Sequence, residues 1–385
     1  MKLRLSSILL LGVIAAGCHN EPSPTGIGLL PGTDLVGLET FDTQAAQSPV
    51  RSSTTFTPTP AATSPYLSLG KTAEYESSIL LRWLSFPADI AEGGAIVSAT
   101  VTLYRAPYGF GDVSAPLQFE AREVQQSWSS HTFTSDSLQN LRTGATPVGA
   151  FSGAAGDSVT FTIDSTLVRS WLKLMSSQRY TEIYGLLLKA AGGTNAVLAF
   201  ESFERLNKAP SLVLKMVYGG KDTVFNAATL EDTFIAKGPQ LPPTGLAVHG
   251  GLSYRGKVRF DVSAVPRGCI VNQATLTLTI DPTATRKQFR TADSLVVYEL
   301  KDSAAFALGD VSMVTQKADT ANRLTAKSFA LTQIVQRWVN HPEMNHGLAL
   351  LKLNEASDLD LIGLFGAEAT PERRPRLTIL YTKKP

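Results

Sequence analysis

The chain has 385 residues, 43% of them hydrophobic and 18% charged, and a formal net charge of +2. That composition belongs to globular protein with ample material for a core, and the length allows two or three domains. Lys and Arg are scattered and form no stripe, which argues against nucleic acid as a partner, and beyond the N-terminus no apolar run is long enough for a transmembrane helix.

The N-terminus carries Lys2 and Arg4, an apolar stretch from Leu5 to Ala16 too short to span a bilayer, and small residues at Ala15, Ala16 and Gly17. Residues 1–17 therefore read as a secretory signal peptide. The placement of Cys18 at the cleavage point resembles the bacterial lipoprotein signal, which implies a diacylglyceryl thioether on its Sγ. Acyl chains contribute about 0.8 kcal/mol per buried CH₂, so several of them make a stable membrane anchor. A plain signal followed by an incidental cysteine is the alternative, because Ala15 replaces the usual Leu. His19 in place of Asp implies transfer to the outer membrane, on its periplasmic or cell-surface side. Residues 18–37 include HNEPSPTGIGLLPGTD and read as a flexible tether reaching roughly 20–25 Å. The segment GIGLLPGTDLVGLETFDT is similar to the mature N-terminus of an uncharacterised family of outer-membrane lipoproteins, a domain of unknown function. A lipidated Cys18 leaves Cys269 as a lone thiol, expected as a small buried residue at a strand start.

Beyond the tether the pattern is alternation with period two, the mark of strands with one buried face. Ala99–Arg105 places Val101 and Leu103 on one face, and Ala274–Ile280 does the same with Leu276 and Leu278. Further strands are predicted at Ile79–Leu84, Leu117–Val124, Ser158–Ile163, Gly185–Lys189, Ala196–Phe203 and Ser211–Tyr218. Many short strands separated by Gly, Pro and Ser predict an all-β fold of two tandem jelly-roll-like β-sandwich domains. The domains are expected at 38–218 and 221–385, joined at Gly219-Gly220. They read as a duplication: Arg82-Trp83 matches Arg259-Phe260, Trp171 matches Trp338 at an offset of 167, and Pro210 matches Pro375 at an offset of 165. Each half carries one short helix. Asp164, Ser165 or Thr166 caps the first, with an apolar stripe of Leu167, Val168, Trp171, Leu172 and Met175; Leu331, Ile334, Val335, Trp338 and Val339 repeat it.

The order R-[FW]…P-x-G, I-x-x-A-T-L-x-L, V-x-x-W, Y-G-L-L-L, F-x-S-x-E and P-x-L-x-[VI]-x-Y is similar to DNRLRE domains. These are related to disaggregatase repeats and to one class of carbohydrate-binding modules. The resemblance implies a jelly-roll sandwich of the kind found beside polysaccharide-degrading enzymes and in secreted or cell-wall proteins. The second copy departs from it at Phe365-Gly366-Ala367-Glu368, and only the first copy carries Trp128.

Catalytic chemistry finds no constellation. The five histidines show no helical H-x-x-x-H spacing, and His341 and His346 flank Pro342 in a turn. There is no G-x-S-x-G, and Glu120 and Glu123 point to opposite faces of a strand. No cofactor is implied, although calcium held by loop carbonyls stays open. The candidate binding residues are aromatic: Tyr108 and Phe110 in YGFG, and Trp128, His131 and Phe133 in WSSHTF, suited to stacking on sugar rings. The alternative is that they plug the end of the sandwich. The expected function is non-enzymatic binding of a glycan or other envelope polymer by a membrane-tethered protein. The alternatives are a structural lipoprotein contacting envelope proteins and, third, a polysaccharide-active enzyme.

Overall fold

In a computed structural model the described residues are 37–84, 86, 94–241, 245–288, 294–353 and 355–383. The signal peptide, Cys18 and nearly all of the tether lie outside them. The alternating segments form strands as their patterning requires: Val101, Leu103, Leu276 and Leu278 are fully buried. The fold is all-β. The N-terminal half runs β1 (Leu38–Asp42), β2 (Val50–Phe56), β3 (Tyr66–Lys71), β4 (Glu76–Trp83), β5 (Ala95–Gly111), β6 (Leu117–Glu123), β7 (Gly149–Gly153), β8 (Ser158–Thr162), β9 (Leu186–Ala190), β10 (Ala196–Glu201), β11 (Ser211–Tyr218) and β12 (Lys221–Lys237). The C-terminal half follows with β13 (Leu246–His249), β14 (Tyr254–Phe260), β15 (Ile270–Thr279), β16 (Leu295–Asp302), β17 (Ala307–Val314), β18 (Arg323–Lys327), β19 (Leu348–Lys352), β20 (Leu361–Leu364) and β21 (Arg376–Thr382). Two main hydrophobic cores result, with smaller clusters beside them. One is built on Leu67, Ile79, Phe119, Trp171 and Phe200, the other on Val258, Phe260, Leu276, Trp338 and Leu377.

The helices α2 (Ser165–Ser176) and α3 (Phe329–Asn340) turn their predicted stripes into these cores. Asp164 caps α2 by accepting from the Thr166 N–H, and Ser328 caps α3 by accepting from the Leu331 N–H. A third helix, α1 (Ser135–Gln139), precedes them in the chain and buries no residue. Cys269 is 4% exposed, and desolvation raises its thiol pKa, so it is a packing residue.

The strand pairing differs from a simple tandem arrangement. Gly219 and Gly220, expected as the connection between domains, have φ of +55° and +72° and form a two-residue hairpin between β11 and β12, with Tyr218 opposite Lys221. Both positions need the left-handed backbone that glycine adopts without cost. The first half of β12 then pairs with β11, and after a register shift near Leu230 its second half pairs with β4, from Thr229↔Trp83 to Lys237↔Glu76. The first sandwich is therefore completed by a strand that lies beyond the expected boundary at 218. The N-terminal strands do the reverse. β1 pairs with β21 along its whole length, and β2 pairs with β14 from Val50↔Phe260 to Phe56↔Tyr254. Arg376 clamps β1 by donating to Asp42 through both Nε, at 3.0 Å, and Nη2, and Tyr381 donates to Glu39 at 2.6 Å. Each sandwich is thus closed by strands that precede the other repeat in sequence: β1 and β2 close the second, and β12 closes the first.

Candidate functional site

The five aromatic and histidine candidates fall in two places, and neither is an open platform. Trp128 is 6% exposed and donates its Nε1–H to the Tyr184 carbonyl at 2.8 Å. It meets Phe133 edge to face at 6.2 Å in a cluster with Leu80, Val124, Leu187 and Ile235. The Ser130 N–H bonds Glu231 of β12 at 2.6 Å and holds this loop down. Only His131 is exposed. Tyr108 and Phe110 lie half-buried on β5, where the two sandwiches meet. The Tyr108 hydroxyl donates to Asp360 at 3.0 Å and accepts from the Leu359 N–H at 2.8 Å, and Phe110 packs edge to face on Tyr75 at 4.9 Å. The expected stacking surface is therefore corrected: Trp128 and Phe133 fill a satellite core, Phe110 packs on Tyr75 within the first sandwich, and Tyr108 pins one sandwich to the other.

The pin belongs to a buried polar junction. Lys352 Nζ lies 3.1 Å from Asp358 and 3.7 Å from Asp360, all three almost inaccessible to solvent. Burial pushes the Asp358 carboxyl up to about 6, the Lys352 ammonium pulling the other way. Beside them His249 donates from Nδ1 to the Gly250 carbonyl and accepts the Tyr75 hydroxyl on Nε2 at 3.0 Å. Desolvation holds its pKa down to about 4, so the ring is neutral. The hydroxyls of Tyr108 and Tyr75 supply the bonds across the junction, the Lys352 and Asp358 pair lies within the second sandwich, and Asp360 Oδ2 has only the Lys352 ammonium nearby and no hydrogen bond. These groups hold the sandwiches together.

Alongside this junction runs a cleft of about 310 Å³ between the sandwiches. Its aromatic wall is a cross-strand pair. The β2–β14 register sets Phe56 directly opposite Tyr254, with ring centroids 5.1 Å apart and planes tilted by 42°. Phe56 is 43% exposed, an unusual degree for a large apolar ring. The facing wall carries polar groups of Asp136 and Gln139 from α1 and of Gln240 after β12, with Phe133 at the edge. Of the five candidates only Phe133 reaches this cleft. Phe56 and Tyr254 escape sequence reasoning because the strand exchange pairs them from distant parts of the chain; a lone Phe closing the run VRSSTTF is their one local signal.

Among the described residues no group of three His, Cys, Asp or Glu side chains converges as a metal site. A family model described as TGF-beta propeptide matches residues 227–378, under half of the chain. This finding overturns the resemblance to DNRLRE domains and to the lipoprotein family read at the N-terminus, since the match lies in a different family. The matched family is a propeptide and not an enzyme. The match begins inside β12, the strand that closes the first sandwich. A comparison with curated proteins found no match.

Proposed function

We propose that the chain is a non-enzymatic protein of the cell envelope, tethered to the membrane through Cys18, that binds a glycan or similar envelope polymer in the cleft between its sandwiches. The exposed Phe56 ring against the half-buried Tyr254, facing Asp136, Gln139 and Gln240, carries this reading. Sugar rings present apolar faces that stack on aromatic rings, while nearby carboxylate and amide groups bond their hydroxyls. Clefts between domains are a common place for such sites. The tether supports the same reading: anchored at Cys18, it keeps the cleft within a few tens of ångströms of the membrane, by the roughly 20–25 Å reach of the coil.

The test is retention of the soluble 19–385 fragment on a panel of insoluble polysaccharides including peptidoglycan sacculi, chitin and cellulose. Retention on at least one polymer is expected, reduced roughly fivefold or more in Tyr254→Ala and Phe56→Ala, a loss equivalent to about 1 kcal/mol of stacking. Absence of retention on every polymer, or retention indifferent to both substitutions, would refute the proposal.

A further inference from the structure

The outward face of β14 carries cations at alternate positions, Arg255, Lys257 and Arg259, and the three are neutralised unequally. Arg255 is held by Glu355 in a bidentate pair at 2.8 and 2.7 Å, and Lys257 donates to the Ser303 carbonyl at 3.0 Å. Arg259 has no hydrogen bond or ion pair among the described residues. The residue directly opposite it on β2 is Arg51, equally exposed and equally without a partner. Like charges placed directly across an antiparallel pair repel and weaken the sheet. The expectation that Lys and Arg form no stripe is corrected here, because the period of the strand gathers them on one face.

The corresponding place in the first sandwich shows what a structural arginine looks like. Arg82 matches Arg259 in the repeat, and the strand exchanged into that sheet places Glu231 opposite it. Arg82 lies 3.5 Å from that carboxylate and donates its Nε–H to the Ile183 carbonyl at 2.9 Å. In one copy the exchanged strand brings an acid to the arginine, and in the other it brings a second arginine. No packing requirement explains that choice, since both side chains of the second pair are exposed.

Arg51 and Arg259 stand between two concavities. The larger, about 390 Å³, is walled by Val262, Val265 and Pro342, carries Arg267 on its rim, and reaches Trp338 and Asn345. Asn345 is 6% exposed; its Nδ2 donates to the Phe260 carbonyl at 2.9 Å, which leaves Oδ1 without a partner, as is the Nε1–H of the fully buried Trp338. The smaller concavity, about 140 Å³, adds Lys257 and His346. Asp261 is the one acid lining either; its carboxylate accepts from the Ser263 N–H at 2.9 Å, and that bond more than the charge of Arg259 holds its pKa down. Three arginines against one occupied carboxylate, with the unpaired indole N–H of Trp338 in the wall, describe a concavity whose donors suit an anion.

We propose that this concavity binds an oxyanion, a phosphate or carboxylate group carried on a sugar-sized body, clamped between Arg51 and Arg259 with Arg267 at the rim. The concave form and volume suit a small molecule or one acidic unit of a polymer better than a flat membrane surface. The proposal does not rest on the cleft between the sandwiches, because Phe56 and Tyr254 project from the other face of the same two strands.

Calorimetric titration of the 19–385 fragment with pyrophosphate and, separately, with trigalacturonate tests it. Saturable binding of at least one probe is expected, weakening with ionic strength and falling roughly tenfold or more in Arg51→Ala and in Arg259→Ala, as loss of a charge-assisted hydrogen bond requires. Binding of pyrophosphate alone assigns the site to phosphate groups, and binding of trigalacturonate to acidic sugars. The same substitutions are expected to leave the thermal midpoint equal or higher, because each relieves the repulsion between the two arginines, and Phe56→Ala is expected to leave the pyrophosphate titration unchanged, since that probe has no sugar ring to stack in the cleft. No saturable binding of either probe, binding unaffected by both arginine substitutions, or attachment only to phosphatidylglycerol vesicles would overturn it.

Discussion

Single buried side chains set the pH response of this protein. Asp232 on β12 accepts the Phe203 N–H at 2.6 Å, and burial pushes its carboxyl up to about 7. Its folded pKa lies above its unfolded one, so its contribution to stability is complete below the ordinary carboxylate range and is lost as pH rises through about 7. Asp358 acts in the same direction over a narrower window, up to about 6. His249 opposes them: with its pKa lowered to about 4, the stability it contributes is present above the ordinary histidine range and is lost as pH falls toward that value. Asp232→Asn keeps an acceptor for Phe203 and removes the charge. Its thermal midpoint is expected several degrees above that of the parent at pH 8, with the difference closing towards pH 4; equal midpoints at pH 8 would contradict the assignment. At this scale the sequence is legible where a residue's role follows from its own strand or helix. Cys269, Trp171 and Trp338 are buried as their local patterns require. Arg255, Lys257 and Arg259 read in the sequence instead as scattered charge, because only their strand puts the three on one face and only its neighbours decide which of them has a partner. Which charge faces Arg259 depends on a register with β2, some two hundred positions away.

Among the elements, the loop carrying Trp128 shows how an aromatic residue in a polar segment misleads. WSSHTF reads as a surface motif, yet the indole plugs a second small core between β4, β9 and β12 and donates to Tyr184. Trp128→Ala is accordingly expected to cost about 3–5 kcal/mol in urea unfolding, the range for removal of a buried tryptophan. A loss below about 1 kcal/mol would mean that the indole is not part of a core. The strands with apolar alternation were readable within a few residues of their ends. β2 was not, because VRSSTTF has no apolar face of its own and buries only Thr54, whose hydroxyl donates to the Gly245 carbonyl at 2.8 Å. α1 was missed for a related reason: it is five residues long and carries no apolar stripe.

At the scale of the whole molecule, the exchange of closing strands makes the two halves interdependent. Composition and repeat spacing identify two sandwiches, but no local signal says which strands close which sheet. A fragment of residues 38–218 carries β1 and β2 without their partners and leaves β4 and β11 without β12. It is expected to aggregate or stay unfolded, whereas residues 64–241, which keep β12, are expected to unfold cooperatively. Similar behaviour of the two fragments in circular dichroism and solubility would count against the exchange. The same pairing fixes an order of events as the polypeptide is made. Domains form as the chain emerges, N-terminal part first, so the first sandwich can close once β12 has appeared. β1 and β2 emerge earliest and wait longest, since Arg376, the partner of Asp42, comes 334 residues later. The Ser- and Thr-rich sequence of β2, with few apolar side chains to attract other strands, suits a segment that must remain soluble until β14 is delivered.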